Sequence, residues 1–96
     1  MKEAEYQQEL IRKIENLIPG CLVLKNDPNY RQGIPDLSVF YGNRFALLEV
    51  KASARAPERP NQRWYVEEWA KTTFSVFIYP ENEEEVLSAL QQSLLS

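Results

Sequence analysis

The chain has 96 residues and a net charge of −3, and 44% of its residues are hydrophobic, which is the composition of one globular domain (residues 1–96). It contains no histidine and one cysteine, which excludes Ser-His and Cys-His nucleophiles, imidazole metal sites, internal disulfides and cysteine zinc clusters. No apolar stretch approaches the ~20 residues of a membrane span and the acidic start is unlike a signal peptide, so we expect a cytoplasmic protein without a membrane partner.

The first predicted element is an amphipathic helix from Glu3 to Ile18, which Pro19-Gly20 ends. Its apolar residues fall on one face: Leu10, Ile11, Ile14, Leu17 and Ile18. Extending this face towards the N-terminus passes through Gln7 and then reaches Glu3 or Ala4. Glu3 is therefore predicted on the buried side of the helix, where its carboxylate could also act simply as a partner of the helix dipole.

A short β-type run, Cys21–Lys25, leads into a polar loop over residues 26–33 that is rich in turn-forming residues. Tyr30 and Arg31 lie in this loop. Arg31 and Lys25 suit contact with phosphates, and Tyr30 offers a stacking surface. The loop therefore offers cationic and aromatic side chains to an anionic partner.

A Gly42-Asn43 dipeptide between apolar and aromatic residues predicts a hairpin with a two-residue turn. Pro35 lacks an N–H, so the first strand begins at or just after it. If the residues flanking the turn pair, Asp36 faces Glu49 with Cβ atoms roughly 4.5–5.5 Å apart. Lys51 lies on the same face because strand side chains alternate. The three side chains should meet at the open end of the hairpin.

Two carboxylates opposed across a strand pair repel each other when nothing neutralises them. Carboxylate oxygens are the ligands that Mg²⁺ or Mn²⁺ prefers, so Asp36 and Glu49 are candidate metal ligands. Lys51 beside them could orient a water or stabilise charge on a phosphate, which suits metal-assisted phosphodiester hydrolysis. The alternative is a structural cluster in which Lys51 forms a salt bridge with both carboxylates.

Both faces of the hairpin are apolar away from its ends, which predicts a sheet covered on two sides. A loop from Ala52 to Pro60 follows, and then a helix from about Asn61 to Lys71. Gln62 shares a helix face with Val66 and Trp69, so it points inward from the first turn.

The aromatic residues of this helix, Trp64, Tyr65 and Trp69, are interpreted first as core or interface residues and second as surfaces for base stacking. The run Phe74–Tyr79 is apolar on both faces, which predicts an interior strand. The last helix starts with a pattern at Asn82 that resembles a capping box. The predicted order is α-β-β-β-α-β-α, an α/β chain with a mixed (α+β) sheet.

Charge is unevenly distributed along the chain. Residues 25–63 include seven basic and four acidic side chains, a local balance of +3, whereas the remainder has a balance of −6. Phosphate binding needs a local basic surface and does not require a positive net charge on the whole chain. This stretch therefore supports a DNA partner. The alternative is chance clustering of basic residues on a solvated surface. The candidate DNA contacts are Lys25, Arg31, Arg55, Arg59 and Arg63.

These residues carry a resemblance to the VRR-NUC group of the PD-(D/E)XK nuclease superfamily. The matching motifs are Gly33-x-Pro35-Asp36-Leu37, Glu49-x-Lys51 and Gln62. The resemblance runs from about Glu3 to the final helix. It implies a restriction-endonuclease-like core, in which a mixed four-stranded sheet is flanked by helices.

The resemblance also implies the roles of the site residues. Mg²⁺ or Mn²⁺ would be held by three ligands: Asp36, Glu49 and the backbone carbonyl of Val50. Lys51 would activate or position the attacking water, with Gln62 and Glu3 assisting. For Gln62 the alternative is an interior amide satisfied by the backbone.

Small stand-alone members of the group resemble resolvases of branched DNA such as Holliday junctions, and they are often phage-borne. Because such cleavage needs two sites and this chain has one, a homodimer is expected. A flap endonuclease or nickase with the same site is the first alternative. A non-catalytic DNA- or protein-binding module on a nuclease fold is the second.

Overall fold

The computed structural model describes all residues, 1–96, and contains three helices and four strands in the predicted order. The elements are α1 (Glu3–Leu17), β1 (Leu22–Lys25), β2 (Leu37–Tyr41), β3 (Arg44–Val50), α2 (Gln62–Trp69), β4 (Phe74–Ile78) and α3 (Glu83–Leu95). None of the helices combines the length and apolar character that a membrane crossing requires.

The strands form one mixed sheet in the order β1-β2-β3-β4, with β1, β2 and β3 antiparallel and β4 parallel to β3. The β2–β3 hairpin has the predicted register, in which Tyr41 pairs with Arg44. Gly42 in the turn has a φ of +61°, a left-handed conformation that glycine adopts without steric cost. The regular pairing of β2 with β3 begins at Leu37, so Asp36 lies just outside the strand.

The hydrophobic core lies between one face of the sheet and helices α1 and α3. Alternate residues of β2 and β3 supply the sheet side of this core, as the period of a strand requires. The buried residues of these strands on this face are Leu37, Val39, Ala46, Leu48 and Val50. The helices supply Tyr6, Leu10, Ile14, Val86, Leu90 and Leu94. Burial of each large aliphatic side chain stabilises the fold by roughly 1.5–3 kcal/mol.

Helix α2 covers only part of the opposite face, which carries Glu49. The hydroxyl of Ser75 in β4 donates a 2.8 Å hydrogen bond to the Val66 carbonyl, and Trp69 packs edge-on against Phe45. Above β1 and the outer part of β2 the face is open. Its large exposed apolar side chains are Leu22, Leu24 and Phe40.

The prediction that residues 74–79 form an interior strand is wrong. Strand β4 lies at the edge of the sheet, with β3 as its one neighbour. Both of its faces are apolar because α2 packs against one and α3 against the other. Burial by helices therefore explains a pattern that also suits a central strand.

The predicted capping box at the start of α3 does not form. The Asn82 side-chain oxygen accepts a 2.9 Å hydrogen bond from the backbone N–H of Tyr79, and its amide donates to the Phe77 carbonyl at 3.1 Å. The side chain closes the turn after β4 instead of capping the helix. Three glutamates in the first turn of α3 still interact favourably with the helix dipole.

Candidate active site

The open end of the β2–β3 hairpin brings Asp36, Glu49 and Lys51 together. Asp36 directly precedes β2, Glu49 lies in β3, and Lys51 follows the last residue of β3. The Oδ2 atom of Asp36 accepts a 2.8 Å hydrogen bond from the backbone N–H of Val50. This bond holds the Asp36 carboxylate across the end of the hairpin, beside Glu49.

Asn26, which the sequence did not single out, holds the segment that leads to Asp36. Its side-chain amide donates to the Pro35 carbonyl and the Ser38 hydroxyl, each at 2.9 Å. Its backbone N–H donates to the Asp36 carbonyl at 2.8 Å. The only signal in the sequence is an asparagine in a turn-rich loop, and that is equally typical of an ordinary turn.

Glu49 is buried, with 1% of its surface exposed, and its two carboxylate oxygens have different surroundings. Oε2 accepts a 2.9 Å hydrogen bond from the Gln62 amide, whereas Oε1 has no hydrogen-bond partner. Burial, followed by the neighbouring carboxyl group of Asp36, raises the pKa of Glu49 to about 9. When the carboxyl groups of Asp36 and Glu49 are both ionised, neither has a hydrogen to donate to the other. A proton or a bound cation is then needed to satisfy Oε1 of Glu49.

Lys51 is buried but forms no ion pair with Asp36 or Glu49, which contradicts the alternative of a structural salt bridge. Its ammonium group donates to Gln62 Oε1 at 2.6 Å and to the Pro57 carbonyl at 3.1 Å. An ammonium group has three N–H donors, so one remains available. The contact with Pro57 depends on the path of the loop after β3, and no signal in the sequence indicates it.

Gln62 connects the lysine with the glutamate. Its Oε1 accepts hydrogen bonds from Lys51 and from the backbone N–H of Arg59 at 2.8 Å, while its amide nitrogen donates to Glu49. Gln62 therefore has one backbone partner, as the interior-amide alternative requires, but its other two partners are site residues.

The start of α2 packs tightly against the loop that precedes β2. Gly33 in this loop has a φ of +89°, and a Cβ at this position would lie 2.6 Å from the Cβ of Asn61 and 2.9 Å from the carbonyl oxygen of Pro60. Neither the conformation nor the space admits a larger residue. The contact couples the segment leading to Asp36 with the residue before Gln62.

The acid pair fits a divalent cation, although no group of three or more histidine, cysteine, aspartate or glutamate side chains gathers anywhere in the chain. Asp36 and Glu49 offer oxygen ligands, and Oε1 of Glu49 has no hydrogen-bond donor in the protein. Val50, the predicted backbone ligand, is the last residue of β3, next to Glu49 in the sequence and hydrogen-bonded to Asp36 through its N–H. A hard cation that keeps several of its waters, as Mg²⁺ does, suits so small a ligand set.

Glu3 lies half-buried in the first turn of α1. Its charge is among the causes that raise the pKa of Glu49, so the start of α1 is on the side of the carboxylate cluster. An acid in this first turn also interacts favourably with the helix dipole, and the two roles are compatible.

The predicted DNA contacts differ in whether their charge is already paired with a carboxylate of the protein. Those that are exposed without an ion pair are Lys25, Arg31, Arg55 and Arg59. Arg63 instead forms ion pairs with Glu58 and, at 3.1 Å, with Glu67, and its guanidinium lies 4.9 Å from the centre of the Phe77 ring. A phosphate would have to compete with two carboxylates for Arg63.

Comparison with solved structures identifies the fold. A protein described as "VRR_NUC domain" is 27% identical to this chain, with a TM-score of 0.69 over 93% of this chain and 94% of that one. The protein folds as a VRR-NUC domain. A second solved structure, a "VRR_NUC domain protein" that is 18% identical, has the same fold, with a TM-score of 0.72 over 99% of this chain and 89% of that one. No protein-family model and no curated protein matches the sequence.

The VRR-NUC fold confirms the predicted architecture, a mixed four-stranded sheet with helices on both sides. The likeness spans nearly the whole chain, including the hairpin and helix α2 that build the carboxylate cluster. It points to a nuclease domain, in which this cluster is the candidate active site.

Proposed function

We propose that this VRR-NUC domain is a metal-dependent, structure-selective DNA endonuclease that hydrolyses phosphodiester bonds. The observation that carries the proposal is the buried Glu49 carboxylate beside Asp36, with one oxygen that has no partner in the protein. Such a group destabilises the metal-free fold, and strongly perturbed acids cluster at functional sites. A divalent cation bound to both acids would offset the repulsion between their carboxylates and give Oε1 of Glu49 a partner.

The cation, Mg²⁺ or Mn²⁺, would be held by Asp36, Glu49 and the backbone carbonyl of Val50. When bound, it would supply positive charge to a phosphate oxygen and lower the pKa of a water. The protein orients both acids by hydrogen bonds, from the Val50 N–H to Asp36 and from the Gln62 amide to Glu49. Partners of this kind hold ligating side chains in position.

Lys51 would position the attacking water and stabilise charge on the scissile phosphate. Two of its three N–H donors bind Gln62 and the Pro57 carbonyl, which leaves the third for a water or a phosphate oxygen. Because the ammonium group is already held in place, little reorganisation is needed during the reaction. Glu3, at the start of α1, would assist by accepting a hydrogen bond from the water.

The unpaired basic residues would hold the DNA backbone on either side of the site. They are Lys25, Arg31, Arg55 and Arg59, with Arg63 available only if its ion pairs open. Their positive charge accounts for binding by a chain whose overall charge is negative.

Branched DNA such as a Holliday junction is the proposed substrate. One chain carries one carboxylate cluster of this kind, and symmetric resolution of a junction requires two cuts, so the active species would be a homodimer. By resemblance to the family, the products would carry a 5′-phosphate and a 3′-hydroxyl.

The deciding experiment incubates the protein with labelled four-way, flap and linear duplex DNA, with Mg²⁺ or with EDTA. We expect Mg²⁺-dependent cleavage, preferentially of the four-way junction, and its loss in Lys51→Ala. Lys71→Ala is the matched control, because Lys71 is an exposed lysine paired with Glu68. Preferential cleavage of flaps, or nicking of duplex, would support the alternative nuclease, and full activity of Lys51→Ala would contradict the mechanism.

A non-catalytic binding module remains the alternative of a different class. Metal binding measured by calorimetry separates the two, because the proposed site requires Glu49. We expect Mg²⁺ or Mn²⁺ to bind the wild type and not Glu49→Gln. DNA binding without any metal-dependent cleavage would favour the binding module.

A further inference from the structure

An open aromatic groove lies on the same face of the sheet as the carboxylate cluster. Its floor includes Phe40 and Phe45 of the hairpin, and its wall is formed by Trp64, Tyr65 and Trp69 of α2. We refer to these five residues as the aromatic groove. Its volume of about 560 Å³ falls within the ~300–1,000 Å³ range of small-molecule sites.

The aromatic groove is continuous with the candidate active site. Ser38 and Leu47, which also line it, lie two residues from Asp36 and Glu49 along the same strand face. Two residues of a strand span about 6.6–6.8 Å, so the groove begins about that distance from the two acids. A DNA strand cut at the cluster would therefore bring its neighbouring nucleotides to the groove.

The charge of the groove suits a nucleic acid. No aspartate or glutamate lines it, although the chain carries 14 acidic and 11 basic residues. Its one ionised lining residue is Arg31, whose guanidinium lies beside Tyr65 and whose pKa this contact raises. The groove thus offers apolar ring faces with a cation beside them.

The rings of α2 are held in an unusually exposed position. Trp64 is 58% exposed, and it packs edge-on against Tyr65 with ring centroids 5.0 Å apart. This contact orients the indole and leaves part of its surface open to a ligand. A planar apolar group with an attached phosphate matches the indole and the arginine together.

We propose that the aromatic groove binds an unpaired nucleobase next to the scissile phosphate, with the base stacked on Trp64 and its backbone phosphate at Arg31. The inference rests on the proposed nuclease function and specifies which DNA the site accepts. Substrates whose nucleotides beside the cut are unpaired, or can unpair at the branch point of a junction, are preferred over continuous duplex, because bases paired within a duplex are already stacked and cannot reach the rings.

Tryptophan fluorescence tests the proposal directly, since both tryptophans of the chain line the groove. The probe is oligothymidine of about fifteen nucleotides, within the range of single-strand site sizes, with a blunt DNA duplex as its control. In EDTA, which prevents cleavage, we expect the oligothymidine to quench the fluorescence and to bind about tenfold more tightly than the duplex, as one stacked base predicts.

Substitutions then locate the binding site, with fluorescence anisotropy of a labelled oligothymidine as the measurement. Trp64→Ala is expected to weaken binding about tenfold, whereas Trp64→Phe, which retains a ring, restores most of the affinity. Leu95→Ala is the matched control, since Leu95 is an exposed apolar residue outside the groove. Melting temperatures of all variants establish that each one folds.

The outcomes separate this inference from the proposed function. Mg²⁺-dependent cleavage without Trp64-dependent binding of oligothymidine overturns the groove proposal and leaves the nuclease in place. Binding through Trp64 without any cleavage supports the groove and overturns the nuclease. If Trp64→Ala instead abolishes self-association and leaves oligothymidine binding unchanged, the groove is an interface between two copies of the chain, and the proposal is overturned.

Discussion

Glu49, Gln62 and Lys51 are linked by buried hydrogen bonds. Gln62 lies between the other two and keeps the glutamate and the lysine of the site apart. Gln62 presents its carbonyl oxygen to the lysine and its amide nitrogen to the glutamate. A direct ion pair would neutralise both groups and remove the lysine from chemistry. The glutamine therefore keeps the amino group of Lys51 and the carboxyl group of Glu49, with its unpartnered Oε1, apart within a single buried cluster.

The raised pKa of Glu49 predicts a specific loss of stability with pH. The pKa is about 9 in the fold against an ordinary value of 4.5, so between these values the folded chain retains a proton that the unfolded chain releases. Metal-free stability is then greatest below the lower value and falls as the pH rises, by at most about 1.4 kcal/mol per pH unit. Glu49→Gln cannot titrate and should lack this part of the slope.

Thermal unfolding in EDTA across this pH range, followed by circular dichroism, measures the difference. The wild type is expected to lose melting temperature relative to Glu49→Gln as the pH rises, and the variant should cleave no DNA. Parallel pH profiles of the two proteins would contradict the raised pKa of Glu49.

Replacement of Gln62 by leucine tests the hydrogen-bonded chain. Gln62→Leu leaves Glu49 Oε2 without a partner and removes one partner of Lys51, both of which are buried. We expect a loss of about 2–4 kcal/mol in unfolding free energy, because two buried polar groups each lose a hydrogen-bond partner. In the proposed nuclease, kcat should fall more than KM rises.

Gln91→Leu is the control for this substitution. Gln91 donates one 3.2 Å hydrogen bond to the Leu17 carbonyl, away from the site. Its loss should cost about 1 kcal/mol and leave kcat unchanged. Equal effects of the two variants, measured by denaturant unfolding and steady-state cleavage, would argue against a special role for Gln62.

Among the elements, the contact between the loop before β2 and the start of α2 positions the two halves of the site. The hairpin supplies the acids and the lysine, and α2 supplies the glutamine. Asn61, which precedes Gln62, has a φ of +71°, so the helix begins with a left-handed residue pressed against Gly33. The geometry of the cluster depends on this close approach.

Gly33→Ala is therefore expected to displace the start of α2 and lower cleavage strongly. The added Cβ would meet both a side chain and a backbone carbonyl below 3.0 Å, at a backbone conformation that alanine disfavours. We expect a loss of at least about 2–3 kcal/mol. Gly42→Ala carries only the conformational cost, about 1–2 kcal/mol, since nothing lies within 4 Å of its Cβ position.

Comparison of these two glycine variants by melting temperature and cleavage rate separates strain from steric displacement. Gly42→Ala should reduce the melting temperature and retain the cleavage rate at temperatures where it is folded. If both variants lose cleavage to the same extent, the contact at Gly33 does not position α2.

Over the whole molecule, residues 25–63 carry a net positive charge and the rest of the chain a net negative charge. Within residues 25–63, ion pairs neutralise some of the basic side chains and leave others unpaired. Arg63 is neutralised by two glutamates, whereas Arg59 has no acidic partner. The number of phosphates a protein neutralises sets the salt dependence of its DNA affinity. Arg59 should thus contribute more than Arg63 to the salt dependence of DNA binding.

Arg59→Ala is expected to reduce the slope of log Kd against log salt by about 1, and Arg63→Ala to leave it nearly unchanged. Fluorescence anisotropy with labelled duplex in EDTA, at several salt concentrations, provides the slopes. A larger change for Arg63→Ala would mean that its ion pairs open when DNA binds.

The carboxylate cluster could be predicted from the sequence because it depends on local rules. The turn at Gly42-Asn43 and the alternation of side chains along two strands specify which residues oppose each other, and the observed register agrees. Gln62 could be predicted to point inward from its helical spacing alone. None of these inferences requires knowledge of how distant segments pack.

Other features were decided only when distant segments came together. The edge position of β4 depends on which strand it pairs with, while its apolar sequence reflects the helices above and below it. The partners of Lys51, the contact of Asn26 with the start of β2, and the aromatic groove all join residues from separate elements. The sequence thus determined which side chains are available at each element and on which face. Their partners were decided by tertiary packing, because burial and the need to satisfy buried polar groups act across the whole fold.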